Sequence, residues 1–241
     1  MSRQRIDTVL VSRGMAESRE KARVMVMEGT VIADKRTVIK PSALVREDVD
    51  LQLVAGPPYV GRGGLKLEGA LEELQLDVSG RAVLDVGAST GGFTDCLLKH
   101  GVAKVYAVDV GYGQLDYRLR NDPRVVAMER VNARYAFRLP EMVDLATLDL
   151  SFISLQKVVP NVSGMVRDGG LLLALVKPQF EGERREVGRG GVVKDPLVHA
   201  TVLGRFLCWA VDRGFKLEGV VASPLRGADG NREFFVLLRN P

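Results

Sequence analysis

The stretch Asp85-Val86-Gly87-Ala88-Ser89-Thr90-Gly91-Gly92-Phe93 constrains the fold of this chain more than any other. The apolar run Ala82-Val83-Leu84 before it has the length of a buried strand. The segment Thr94-Asp95-Cys96-Leu97-Leu98-Lys99-His100-Gly101 after it reads as a short helix stopped by glycine. Strand, glycine turn and helix start together bring bare backbone and unpaired N–H groups to one point, where a ligand can come close. The spacing is G-x-x-x-G-G, which fits neither the dinucleotide G-x-G-x-x-G pattern nor the phosphate-loop G-x-x-x-x-G-K-[ST] pattern. An acid at the end of the strand suits a cationic ligand better than a pyrophosphate. A second apolar run, Lys104-Val105-Tyr106-Ala107-Val108-Asp109, ends in another acid, the usual position for binding ribose hydroxyls.

The same alternation continues toward the carboxyl end. Apolar runs over residues 124–128, 144–150 and 171–176 read as strands, the last two leading to Asp149 and Lys177. Leu67, Ala70, Leu71 and Leu74 repeat at helical spacing over residues 65–74, and Pro196 opens a further helix that ends near Gly214. Strands over residues 215–222 and 233–238 close the chain. This pattern predicts an α/β fold, an open and mostly parallel Rossmann-like sheet with helices on both faces. Ligands collect at the carboxyl ends of such strands, where Asp85, Asp109, Asp149 and Lys177 all fall. Residues 110–115 form a loop able to cover a ligand. Residues 182–195, rich in Gly, Arg and Glu, form either a lid or a substrate loop.

Residues 1–56 differ in character. Ile6, Val9 and Leu10 stand at helical spacing up to Gly14. Ser18 is an N-cap for a second helix with Ala22, Met25 and Val26 on one face, stopped by Gly29. Short strands follow over residues 30–32 and 37–39 around the polar turn Asp34-Lys35-Arg36, and Leu51-Gln52-Leu53-Val54 closes the unit. So few elements bury a thin core, which predicts a small α+β domain leaning on a neighbour or a ligand. Arg19 and Arg23 lie four apart on one helix face and Lys35 and Arg36 share a turn, a cluster suited to neutralising phosphates. The Pro- and Gly-rich run Ala55-Gly56-Pro57-Pro58-Tyr59-Val60-Gly61-Arg62-Gly63-Gly64 marks a boundary. The expected division is a domain over residues 1–56, a linker over 57–64 and a second domain over 65–241.

Composition narrows the partners. In 241 residues, 46% hydrophobic content is enough for a sizeable core, and 27% charged residues argues against disorder. A net charge of +4 and a pI near 9.1 favour anionic partners such as nucleic acid. Cys96 and Cys208 are the only cysteines and form no C-x-x-C pair, so a reduced, cytoplasmic setting is expected. With His100 and His199 the only histidines, a His-rich metal site is not expected. There is no apolar leader, and the apolar run over residues 171–176 is far too short to span a bilayer.

Two resemblances give these features a chemistry. The pattern Arg5-Ile6-Asp7…Leu10-Val11-Ser12-Arg13-Gly14…Ser18-Arg19-Glu20-Lys21-Ala22…Glu28-Gly29-Thr30-Val31 resembles the RNA-binding module named after ribosomal small-subunit protein four. That resemblance implies that Arg3, Arg5, Arg19, Lys21, Arg23, Lys35 and Arg36 read structured RNA by shape and phosphate contact. The glycine turn with Asp109 resembles the cofactor site of S-adenosylmethionine-dependent methyltransferases. It implies cofactor contacts from Asp85, Gly87, Ser89, Thr90, Gly91, Gly92, Phe93 and Asp109, with Asn132 and Ala133 near the adenine. Lys66, Asp149, Lys177 and Glu233 stand in the order Lys–Asp–Lys–Glu, which resembles the tetrad of ribose 2′-O-methyltransferases related to FtsJ. End to end, the chain resembles the TlyA family of ribosomal RNA methyltransferases, whose members are often labelled haemolysins.

The family implies methylation of cytidine 2′-hydroxyls in ribosomal RNA, with S-adenosylmethionine as cofactor and ribosomal RNA or ribosomal subunits as partner; from the residues themselves, no membrane association and no metal are expected. One departure is the junction, where some members carry Arg-x-Trp-Val and this chain has Pro58-Tyr59-Val60. A pore-forming haemolysin is suggested by the label alone, and neither a membrane-inserting helix nor amphipathic barrel strands stand out. A non-catalytic RNA-binding assembly factor would have no need of an intact tetrad.

The tetrad suits the reaction. A ribose hydroxyl is a poor nucleophile until its proton is removed or shared. A free lysine titrates near ~10.4 and serves as a base only where its surroundings lower that value. A second cation nearby can do so, and that is the part expected of Lys66 toward Lys177. Asp149 orients the lysine and offsets charge, and Glu233 positions Lys66 or the substrate ribose. The methyl carbon must lie in line between oxygen and sulfur, so positioning supplies much of the rate.

Overall fold

The computed structural model describes residues 3–27, 29–38, 40–54, 58–188, 190–227 and 229–241, in two compact units, Met1–Pro58 and Tyr59–Pro241.

In the smaller unit β1 (Arg3–Arg5) leads directly into α1 (Ile6–Ser12), and α2 (Arg19–Met27) follows. Ile6 and Leu10 on α1 meet Ala22 and Val26 on α2, each pair four residues apart, so one stripe of each helix is buried with Val31 and Val49. β2 (Val31–Ala33) pairs antiparallel with β3 (Arg36–Thr37) and, after β4 (Leu44–Arg46), with β5 (Leu51–Leu53). Asp34 and Lys35 both take positive φ, +46° and +65°, as a two-residue hairpin turn requires. β1 pairs with β4. That pairing was not legible beforehand, because three-residue strands with exposed charged positions carry no alternation. Ile39, Glu28 and the junction residues 55–57 lie outside the described residues.

The larger unit opens with α3 (Arg62–Glu73) and then alternates β6 (Ala82–Val86), α4 (Gly92–Lys99), β7 (Lys104–Asp109), α5 (Tyr117–Arg120), β8 (Val125–Glu129) and β9 (Val143–Leu148). A 3₁₀ turn at Leu155–Lys157, α6 (Val159–Ser163), β10 (Val166–Val176), α7 (Pro178–Glu181), α8 (Pro196–Asp212), β11 (Lys216–Ala222) and β12 (Phe234–Arg239) complete it. The seven strands lie in the order β11-β12-β10-β9-β6-β7-β8. The five from β10 to β8 are parallel to one another, whereas β12 runs antiparallel between β10 and β11. Alternate residues of β10 supply both cores. Leu171, Leu173 and Leu175 pack with α3 and α4, and Leu172, Ala174 and Val176 pack with α6 and α8. Both faces of the sheet are thus covered.

The helix expected from residue 65 begins at Arg62, and Tyr59 is buried, so all but the first two residues of the expected linker are part of the larger unit. The tyrosine hydroxyl donates to Glu68 at 2.8 Å and the Val60 N–H donates to Asp95 at 2.8 Å. A Cβ on Gly64 would come within 2.2 Å of the Tyr59 ring, so the glycines that suggested a loop serve close packing instead. Among the described residues no helix is long and apolar enough to cross a membrane.

Candidate active site

β6 and β7 run side by side, Val86 opposite Val108, so the turn after β6 meets the acid that ends β7. Asp109 accepts from the Ser89 N–H at 2.8 Å through one carboxylate oxygen and from the Gly111 N–H at 2.7 Å through the other. Gly87 sits at φ +86°, and a Cβ there would lie 2.3 Å from the Asp149 carbonyl oxygen. Only glycine lets the loops after β6 and β9 close on each other. They wall a cavity of about 540 Å³, reached by Gly87, Ser89, Asp109, Asn132, Ala133 and Asp149. Val86, Val108, Val131, Leu150, Ile153 and Val158 make its apolar walls. A mostly apolar concavity with a few convergent polar groups is the usual form of a small-molecule site.

Other residues expected at the cofactor do not reach this cavity. Phe93 points into the core, 3% exposed and 6.0 Å from the Phe235 ring, because α4 is apolar on that face. Thr90 and Gly91 form the turn into α4, Gly92 opens the helix, and none of the three is among the residues lining the cavity. Asp85 is fully buried beneath the turn, its carboxylate accepting from the hydroxyls of Thr94 at 2.6 Å and Thr147 at 3.0 Å. Burial pushes its pKa up to about 6; the two threonine donors oppose the shift and the neighbouring Asp149 charge adds to it.

The four residues of the Lys–Asp–Lys–Glu series form two ion pairs. Lys66 Nζ lies 2.6 Å from Glu233 Oε2, with the two side chains 11% and 3% exposed. Lys177 Nζ lies 2.7 Å from Asp149 Oδ1 and donates to Ser151 Oγ at 3.0 Å. Sheet register explains their proximity. Val176 pairs with Phe234 and Ala174 with Leu148, so Lys177, Glu233 and Asp149 sit at the same end of three neighbouring strands, and α3 delivers Lys66 to Glu233. Asp149 Oδ1 is buried and, although Lys177 is close, no donor is aligned on it.

Gln114 reaches the cavity from the loop over residues 110–115 expected to cover a ligand, but sequence reasoning missed Arg134, Ser151 and Phe152. Phe152 is 90% exposed, holds φ +63° and lies 5.0 Å from the Phe180 ring. A left-handed backbone costs a non-glycine residue roughly 1–2 kcal/mol, so the surroundings must hold it there. The available signal was an aromatic residue three positions after the acid that ends β9.

In the smaller unit the expected RNA-binding residues fall into two sets. Arg5 and Arg19 converge on the fully buried Asp7, with Arg5 donating at 2.8 and 3.0 Å and Arg19 at 3.3 Å. These hydrogen bonds, Arg5 first, hold the Asp7 carboxyl at about 2 against the effect of its burial. Lys21 pairs with Glu17 one turn earlier. Arg3, Arg23, Lys35 and Arg36 are exposed, and none forms an ion pair among the described residues.

The chain matches the model of the FtsJ-like methyltransferases over residues 59–240 and that of the S4 domain over residues 4–51. It is 46% identical over 243 residues to the 16S/23S rRNA (cytidine-2′-O)-methyltransferase TlyA of Mycobacterium tuberculosis, covering 98% of this chain and 90% of that protein. It is 40% identical over 233 residues to Hemolysin A of Brachyspira hyodysenteriae, covering 95% and 97%. A solved structure of a hemolysin-named protein from Streptococcus thermophilus matches with a TM-score of 0.76 at 41% identity, covering 100% of this chain and 89% of that one.

Proposed function

The chain belongs to the FtsJ-like methyltransferase family, with an S4 domain ahead of the catalytic one, and from that premise we propose that it methylates a ribose 2′-hydroxyl of ribosomal RNA. The methyl donor is S-adenosylmethionine; the acceptor is a cytidine, which the name of the mycobacterial relative states for that protein. The observation that carries this reading is the Lys66–Glu233 and Lys177–Asp149 pairs assembled at one end of three neighbouring strands. The cavity suits the donor. Asp109 keeps lone pairs for ribose hydroxyls beside its two backbone donors, the valine and leucine walls suit an adenine, and Asp149 Oδ1 offers a buried acceptor.

When bound, the cofactor supplies a methyl carbon activated by an adjacent sulfonium. Lys177, oriented by Asp149 and Ser151, first gives up a proton from its ion-paired form; the neutral amine then takes the 2′-hydroxyl proton as the oxygen–carbon bond forms and the methyl's bond to sulfur breaks. Asp149 offsets the positive charge that then develops on the lysine. Glu233 fixes Lys66 beside this pair as a second cation. Phe152, standing at the cavity mouth, takes the target base on its ring face; such stacking contributes about 1–3 kcal/mol. Arg3, Arg23, Lys35 and Arg36 neutralise phosphates, and Asp7 keeps Arg5 and Arg19 together as a fork for another. In this reading RNA binding belongs to the smaller unit, Met1–Pro58, and chemistry to the larger, Tyr59–Pro241, with Tyr59 anchored in the latter. Two unpaired cysteines, Cys96 and Cys208, suit a reducing cytoplasm.

The test is transfer of labelled methyl groups from S-adenosylmethionine to ribosomal subunits, followed by mapping of the modified nucleotides. The expected product is 2′-O-methylcytidine. Label on a base, or none on RNA, overturns the reading.

A further inference from the structure

Residues 149–154, which link β9 to the following 3₁₀ turn, carry much of the site. Asp149 and Ser151 hold Lys177, and Phe152 stands exposed on a left-handed backbone. Such a backbone persists only where its surroundings over-determine it. On one side the segment is tied by the Asp149 N–H, which donates to the Val86 carbonyl at 3.0 Å, and by Lys177. On the other side the tie is Glu181, the last residue of α7. Its Oε2 accepts from the Ser154 hydroxyl at 2.7 Å and its Oε1 from the Leu155 N–H at 2.6 Å.

Both oxygens of this carboxylate are therefore spent on one turn, and Ser154 Oγ in addition caps the Gln156 N–H at 3.2 Å. No ion pair engages Glu181 among the described residues, and burial pushes its carboxyl above the ordinary value despite these donors. A part-buried carboxylate with no salt bridge, and only the Lys157 charge near enough to favour its ionised form, is a costly way to close a turn that apolar packing could close. The position of α7 gives the arrangement a purpose. Directly after Lys177, it sets the Phe180 ring against Phe152 and the Glu181 carboxylate against Ser154, fastening the loops after β9 and β10 along their length.

We propose that Glu181 is a positioning residue for the methyl acceptor: by fixing Ser154 and Leu155 it holds Phe152 out toward the target base and Ser151 against Lys177. The inference rests on the reading of Phe152 as the platform for that base. Glu181 acts through the turn and does not itself touch the reacting atoms.

The experiment is a double-variant cycle of Glu181→Gln, Phe152→Ala and their combination in the full-length protein. Methyl transfer to ribosomal subunits is measured together with calorimetric affinity for S-adenosylmethionine and thermal melting. Glutamine keeps the side chain's size and one acceptor, but its amide nitrogen cannot accept the second donor. In the wild-type background Glu181→Gln lowers kcat/KM for the subunits by about tenfold or more, with cofactor affinity held within about threefold. In the Phe152→Ala background the same change lowers it by less than about threefold, because the group it positions is gone. Ser154→Ala, which removes one rung and leaves the carboxylate, reproduces part of the loss. Equal factors in both backgrounds overturn the proposal, as does wild-type activity of Glu181→Gln. A parallel fall in melting temperature, cofactor affinity and activity overturns it too, by reducing Glu181 to general stability. A harmless Phe152→Ala instead removes the platform reading on which the proposal stands.

Discussion

Burial of Asp85 should make its contribution to the stability of the larger unit fall with rising pH, the reverse of the usual carboxylate behaviour. The group is fully buried and has its pKa raised to about 6, although the hydroxyls of Thr94 and Thr147 and the Thr94 backbone donate to it. An unfolded aspartate titrates near ~3.9. Between those values the native state keeps a proton that the unfolded chain has released, so each step up in pH favours unfolding. The contribution is complete below the unfolded value and is lost as pH rises through the folded one. A difference of roughly two units corresponds to roughly 3 kcal/mol. The perturbation is Asp85→Asn, which cannot titrate. Relative to this variant, the wild-type protein should lose roughly 3 kcal/mol between about pH 4 and about pH 7, or about 6–12 °C of melting temperature for a unit of this size. Urea unfolding of cofactor-free protein, followed through Trp209, the chain's single tryptophan on α8, reports on the same unit. Titrations shared by both proteins cancel in the difference. Stability profiles that run parallel across this window would refute the reasoning, since Asp85 would then be ionised as easily in the folded protein as in the unfolded one.

Lys177→Ala should lower turnover by ~10²–10⁴-fold with cofactor affinity preserved, and Lys66→Ala should add little on top if the residues act as a unit; near-normal single-turnover rates on ribosomal subunits would remove the lysine from the chemistry. Asp109→Ala should weaken S-adenosylmethionine binding by about ten- to a hundredfold in calorimetry, since it loses ribose contacts and frees the Ser89 and Gly111 N–H groups that shape the cavity. Arg23→Ala and Lys35→Ala should each flatten the logarithmic salt dependence of RNA binding by about one; unchanged slopes would place those side chains away from phosphates. The depressed Asp7 carboxyl stabilises the smaller unit above its unfolded value and loses that effect as pH falls toward about 2. Because Arg5 and Arg19 are partly solvated, the effect should be on the order of 1 kcal/mol, checked by acid titration of amide exchange in wild type and Asp7→Asn.

Periodicity located the strands and long helices of the larger unit to within a few residues, because a sheet covered on both faces needs near-continuous apolar runs and few other segments of the chain have them. The short α5, α6 and α7 escaped notice, since single turns lack an apolar stripe long enough to read. Residues 59–64 show why glycine and proline mislead at a boundary. They signal a turn, yet here the Tyr59 ring needs Gly64 beneath it, and burial of the aromatic outweighs the local preference. The site divided in the same way. Asp109, Asp149 and Lys177 were legible as polar ends of apolar strands, whereas Ser151 and Phe152 in a six-residue turn and Glu181 in a single-turn helix were not, because neither carries a period.

By itself, then, the sequence determined which strand ends bear charge, that two units share the chain, and which residue types stand ready for cofactor, RNA and proton. Only the tertiary structure decided the partners. Antiparallel pairing of β12 with β10 sets Glu233 beside Lys177, and the approach of α3 makes Lys66 the partner of that glutamate. It also withdrew Asp85 and Phe93 from the cavity, for a side chain's direction at a strand end or helix start is fixed by what packs against it. Position along a chain specifies an order of groups; their distances arise from sheet register and burial, which are long-range properties that no local pattern contains.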